Sequence, residues 1–174
     1  MDQTITEYVK NSQETEGLRK AIGFLIATDK KEKDSIGMKI LDTLNNKTQS
    51  FTVFAPTNEA FEPIFAKAKD LMDKKDNVAL MELQKVVATT LFYHVVAGSY
   101  SASSFKKGFN FLTTANNKPI VVNVGDDGVM VCESNVVKAD IKLSNGIIHM
   151  IDKVMDPNAC TVLANTKKRM PNTK

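Results

Sequence analysis

The chain carries few residues equipped for chemistry: two histidines, two cysteines and a scatter of carboxylates in 174 residues. His94 lies in the otherwise apolar run 91–96, and His149 lies between Ile148 and Met150. An imidazole can act as a general base or a metal ligand. A structural zinc site takes four ligands and a catalytic one usually three. His94, His149, Cys132 and Cys160 reach that number, but none stands at the close pair spacing such sites use. A hydrolase needs an activated nucleophile, and the Gly-x-Ser-x-Gly elbow is absent. Cys132, in the run VMVCE, has the surroundings of a buried, inert thiol. Gly125 and Gly128 flank Asp126 and Asp127, whose charges would repel phosphate, and a calcium loop needs more ligands and a closing Glu. That segment suits a hairpin tip. No metal, no cofactor and no enzymatic activity are expected.

Both histidines are therefore expected to be buried, neutral and hydrogen-bonded. The alternation of Ile147, His149 and Ile151 puts the second ring on one strand face with two isoleucines. Asp140 is the carboxylate best suited to binding, because a charge beside an exposed Ile141 can meet a partner's metal or basic patch. The alternative is that Asp140 caps a turn and Ile141 fills the core. Asn145 and Gly146 suit a turn. Asp152 and Asp156 are expected to orient a strand end through backbone hydrogen bonds.

The elements that must position these residues are legible from periodicity. Leu18, Ala21, Ile22 and Leu25 predict a helix over 16–28, and Ile40, Leu41 and Leu44 one over 36–44. The charged run 29–34 between them predicts a solvated connection. Phe51, Thr52, Val53, Phe54 and Ala55 form a strand buried on both faces, which Pro56 ends because it has no N–H for the ladder. Thr57 stands at the N-cap of the next helix, with Glu59 in its first turn. That helix is predicted over 58–74, limited or bent by Pro63. Residues 74–77 break it, and Leu80, Leu83, Val87, Thr90 and Leu91 give the next helix, 78–92, a buried face. Beyond Gly98 the period shortens to that of strands, with turns at 116–117, 125–128 and 144–146. A helical half followed by a β half predicts an α+β fold.

Three ordered segments resemble the fasciclin family of extracellular adhesion domains: FTVFAPTNEAF at 51–61, LFYHVVAG at 91–98 and NGIIHMIDKVMDP at 145–157. VVKADI at 136–141 precedes the third as it does in the family. The resemblance covers roughly residues 15–157, with 29–34 and 62–76 resembling insertions. It implies a single domain over 1–160 built as a wedge-shaped β-sandwich of about seven strands with a helical layer. It implies a cell-surface or matrix protein, or a glycan, as partner, outside the cell. In animal matrix members an Asp-Ile pair and a Tyr-His segment are implicated in integrin binding. Asp140-Ile141 and Tyr93-His94 match them, whereas Lys142 and Leu143 depart from the apolar and small residues that usually follow. A carrier of a small apolar ligand in a groove between helices and sandwich is the alternative, and a hydrolase a more distant one.

Composition sets the remaining bounds. The net charge is +3, but Lys167, Lys168, Arg169 and Lys174 supply four positive charges without an acid, so the rest of the chain is near −1. A basic, flexible tail over 161–174 is expected, with no nucleic-acid partner. No apolar run approaches the ~18 residues of a membrane span, and residues 1–13 lack the parts of a signal peptide. The two cysteines are compatible with one bridge or with two thiols. Asn46-Lys47-Thr48 is a glycosylation sequon.

Overall fold

The computed structural model describes residues 3–27 and 36–168. The charged run 29–34 and residues 169–174 of the tail lie outside them. Strand β1 (Phe51–Pro56) is buried along its whole length. It runs parallel to β7 (Gly146–Ile151), with Phe51 opposite Gly146 and Pro56 opposite Ile151. On its other edge it pairs with β2 (Val95–Ala97). The remaining strands follow by antiparallel pairing: β6 (Ser134–Leu143), β5 (Gly128–Val131), β4 (Pro119–Gly125) and β3 (Gly108–Thr113). The order is β2-β1-β7-β6-β5-β4-β3, so the expected seven strands form one continuously paired sheet. Its two ends meet at an isolated bridge between Val96 and Thr114 without further closure.

Side-chain alternation divides the interior in two. From β1 and β7, Phe51, Val53, Ala55, Ile148 and Met150 face a helix-side core. Phe54 and Ile151 face a strand-side core with Tyr93, Ile120, Val122 and Val131. The helix side is covered by α1 (Ile5–Asn11), α2 (Glu16–Ala27), α3 (Ile36–Asn45), α4 (Asn58–Asp73) and α5 (Asn77–Tyr93). The spacing expected to bury Leu18, Ala21, Ile22 and Leu25 does so, as it does for Ile40, Leu44, Leu83, Val87 and Leu91. Asp76 caps α5 by accepting from the Ala79 N–H at 3.1 Å.

Several local expectations are corrected. Thr57 occupies the N-cap of α4, but its hydroxyl makes no cap hydrogen bond. Its N–H instead donates to the Ile151 carbonyl at 2.8 Å, which fixes how the chain leaves the strand. Helix α4 runs from Asn58 to Asp73 as expected, with Pro63 inside its second turn. Residues 161–168, expected in the tail, belong to a helix, α6 (Pro157–Lys168), that packs on β4 through Cys160 and Ala164. Asp156 sits just before it and accepts from the Asn158 N–H at 2.9 Å, so this carboxylate starts a helix instead of finishing a strand. Cys132 and Cys160 are joined in a disulfide, their Cα atoms 5.5 Å apart. The bridge ties α6 to the turn between β5 and β6.

The turn between β6 and β7 has a structural task beyond its geometry. The buried Asn145 accepts from the Ile5 N–H at 2.9 Å through Oδ1. Its Nδ2 donates to the Leu44 carbonyl at 2.7 Å and the Asn46 carbonyl at 3.1 Å. One side chain thus joins the sheet to α1 and to the end of α3. Gly146 has φ +155°, and a Cβ there would lie 1.9 Å from the Phe51 carbonyl oxygen, so no larger residue fits.

Candidate partner-binding site

Among the residues that the resemblance nominated, Tyr93 and His94 are buried. They end α5 inside the molecule, so neither is available to touch a partner. The Tyr93 hydroxyl donates to the Pro119 carbonyl, and burial pushes it up to about 12. His94 Nδ1 donates to the Thr90 carbonyl at 2.6 Å, and its Nε2 accepts from the Met155 N–H at 3.0 Å. One donor and one acceptor fix the neutral ring. Burial pushes this imidazole down to about 4. The ring pins the end of α5 to the segment that leads into α6.

His149 is buried on the strand side, 5.7 Å from the Phe54 ring and stacked on it. Its Nε2 donates to the Tyr100 carbonyl at 2.7 Å, and its Nδ1 accepts from the Asp140 N–H at 3.1 Å. With both ring nitrogens of both histidines committed to backbone, neither is free to take a proton from a substrate. Among the described residues, no group of three or more His, Cys, Asp and Glu is placed to hold a metal ion.

Asp140 stands where β6 shifts register against β7, at φ +59°. Asp tolerates this left-handed conformation better than most residues. Its half-buried side chain accepts from the Ala102 N–H at 2.8 Å through Oδ1. The same segment is held from below by β1: the buried Thr52 hydroxyl donates to the Gly98 carbonyl at 2.7 Å and accepts from the Tyr100 N–H at 2.9 Å. Thr52, Tyr100, His149, Asp140 and Ala102 therefore form one relay that locks the 98–102 segment to β6. The apolar patterning concealed this role of Thr52. A polar residue in a strand buried on both faces was the available signal, since such a group must find partners.

Ile141 is half-buried and packs against the helix-side core. The exposed side chains around Asp140 are Val137, Lys138, Ala139 and Lys142, with Val137 57% exposed. Lys138 pairs with Glu14 at 2.8 Å and holds that carboxyl below its ordinary value. Asp152, at the end of β7, accepts from the Asn135 N–H and Nδ2 at 2.8 and 3.1 Å. Burial pushes its carboxyl up, and these bonds outweigh that push, so its net shift is downward. It orients the strand end as expected.

A groove lies between α4, α5 and the 152–158 segment. It is an open groove of about 880 Å³ whose apolar walls include Ile64, Leu83, Val86, Val87, Val154 and Met155. No helix among the described residues is long and apolar enough to cross a membrane.

The family profile described as the fasciclin domain matches residues 35–157. "Protein sll1483" of Synechocystis is 35% identical over 107 residues, which cover 62% of this chain and 55% of that protein. The cell surface glycolipoprotein MPB83 of Mycobacterium bovis is 33% identical over 122 residues, covering 70% and 50%. The chain thus spans about half the length of these relatives. A solved FAS1 domain pair from the insect cell adhesion molecule fasciclin I superposes with a TM-score of 0.63 at 18% identity, over 91% of this chain and 52% of that one. Profile, relatives and fold agree: the chain belongs to the fasciclin domain family.

Proposed function

We propose that this chain is a non-enzymatic adhesion module that works outside the cell and binds a surface or matrix protein, or a glycan, through the outer face of β6 around Asp140. The observation that carries the reading is the relay from Thr52 through His149 to Asp140. It uses buried polar groups to hold Asp140, at φ +59°, in place beside the exposed residues of β6. Such a device is costly unless the shape presented is used. The family supports the adhesive part, since one relative is a cell surface glycolipoprotein and one structural neighbour belongs to a cell adhesion molecule. Tyr93 and His94 act indirectly, by shaping the interior. Asp140 supplies a carboxylate and Lys142 an adjacent cation, a pair suited to a polar partner. The test is a panel of cell surfaces, matrix proteins and glycans probed with the immobilised domain. Binding weakened by Asp140→Asn and by Lys142→Glu supports the reading, and silence across the panel counts against it.

The groove between α4 and α5 favours a second reading, carriage of a small apolar ligand. Its volume lies within the range of small-molecule sites, and its walls are largely apolar. Native mass spectrometry of the purified chain checks this. A co-purifying mass lost in Val86→Asp supports it, and an unliganded chain that also fails to take up an apolar dye sinks it.

A further inference from the structure

We infer that Asn46 is an acceptor site for an N-linked glycan. Asn46-Lys47-Thr48 is the one Asn-x-Ser/Thr triplet in the chain, and the fold gives it a suitable setting. It lies in the turn from α3 to β1, where residues 47–50 are exposed. The Thr48 N–H and hydroxyl both donate to Asn46 Oδ1, at 2.8 and 2.7 Å. Both bonds fall on the oxygen, and among the described residues none holds the amide nitrogen, the atom that carries the sugar. The Asn46 carbonyl accepts from Asn145 Nδ2. The backbone is thus anchored to the β6–β7 turn, and the half-buried side chain borders the exposed residues 47–50.

The disulfide between Cys132 and Cys160 fits an oxidising compartment, the setting in which such a glycan is added. There, Nδ2 attacks the anomeric carbon of an oligosaccharide carried on a lipid diphosphate. The new N–C bond replaces the C–O bond to the diphosphate, which leaves with its lipid, and one amide proton passes to a base on the transferase. No electrons are exchanged with a redox partner. The glycan would stand at the Phe51 and Gly146 end of the β1–β7 pair. The apolar groove lies beyond the opposite end, about 17 Å away at the rise of a six-residue strand. Modification therefore leaves the groove open.

The test is production of the full chain behind a secretion signal in a eukaryotic cell, followed by electrophoresis with and without a peptide N-glycosidase. One glycan's worth of added mass, removed by the glycosidase, is expected. Asn46→Gln and Thr48→Ala should each abolish it, while Thr48→Ser and Asn45→Gln keep it. Two results overturn the inference: a secreted, folded chain of unmodified mass, or added mass that survives in Asn46→Gln.

Discussion

The β1–β7 pair is buried on both faces, yet the two faces use different chemistry. Toward the helices it presents Phe51, Val53, Ala55, Ile148 and Met150, an apolar surface packed by α1 to α5. Toward the strands, Phe54 and Ile151 are interspersed with Thr52 and His149, each hydrogen-bonded to a segment outside the sheet. The strand-side core also contains the disulfide. An apolar face stabilises without specifying much about the surface beyond it. A polar face must satisfy every group it buries, and in doing so fixes the shape of distant loops. The helix face thus supplies apolar packing, and the strand face ties the 98–102 segment to β6.

The largest expected effect lies on the strand side. Replacing both Cys132 and Cys160 by serine frees a loop with a sequence separation of 28 residues, and loop closure of that size is worth about 3–4 kcal/mol. Urea unfolding should show that loss. Amides that exchange through global unfolding should lose that same amount on both sides, while β4, β5 and α6 should in addition open locally below the global value. The absence of any such extra local opening on the strand side would break the distinction between the two cores. Next, Ile148→Ala should cost about 3 kcal/mol by removing a fully buried side chain from the helix face. That cost should be the same at pH 7 and pH 5, because the core it belongs to is apolar.

A smaller effect, of the opposite character, belongs to His94. Its folded value of about 4 lies below the ordinary 6.5. Between those limits the unfolded chain takes up a proton that the folded chain refuses. Stability is therefore complete above pH 6.5 and falls as the pH drops toward 4, by about 2 kcal/mol at pH 5. Urea midpoints at pH 7, 6 and 5 would show this slope, and His94→Gln should flatten it. A wild-type chain equally stable at pH 7 and 5 would remove the neutral-ring account of His94.

Much of the scaffold was legible because it depends on local signals. The alternation in β1, the arrest at Pro56, the turn residues at 125–128 and 144–146, and the helical spacing around Leu18 and Leu83 are all short-range. Helix α1 was missed although Thr4 and Glu7 spell its capping box, which is formed. Helix α6 was mistaken for tail because its packed face is Cys160, Leu163 and Ala164, too few apolar residues to show a period. Strand β2 has three residues, too short to show an alternation. The candidate site was less legible still. The apolar run around Tyr93 and His94 signalled burial, and that signal outweighed the resemblance that placed them at a contact. The partners of Asp140 are Ala102 and His149, and Asn145 reaches across 140 residues to Ile5. Pairings that distant are fixed by the fold, and no spacing in the chain announces them.

The central claim is that the strand face exists to present Asp140. Asp140→Asn tests it most directly, because asparagine tolerates the same left-handed backbone and keeps the oxygen that accepts from Ala102, while losing the charge. The measurement is the affinity of this variant for the tightest binder found among surface proteins, matrix proteins and glycans, alongside its urea midpoint. The account predicts affinity lowered about tenfold or more with the midpoint unchanged. Unchanged affinity in an equally stable variant would contradict it.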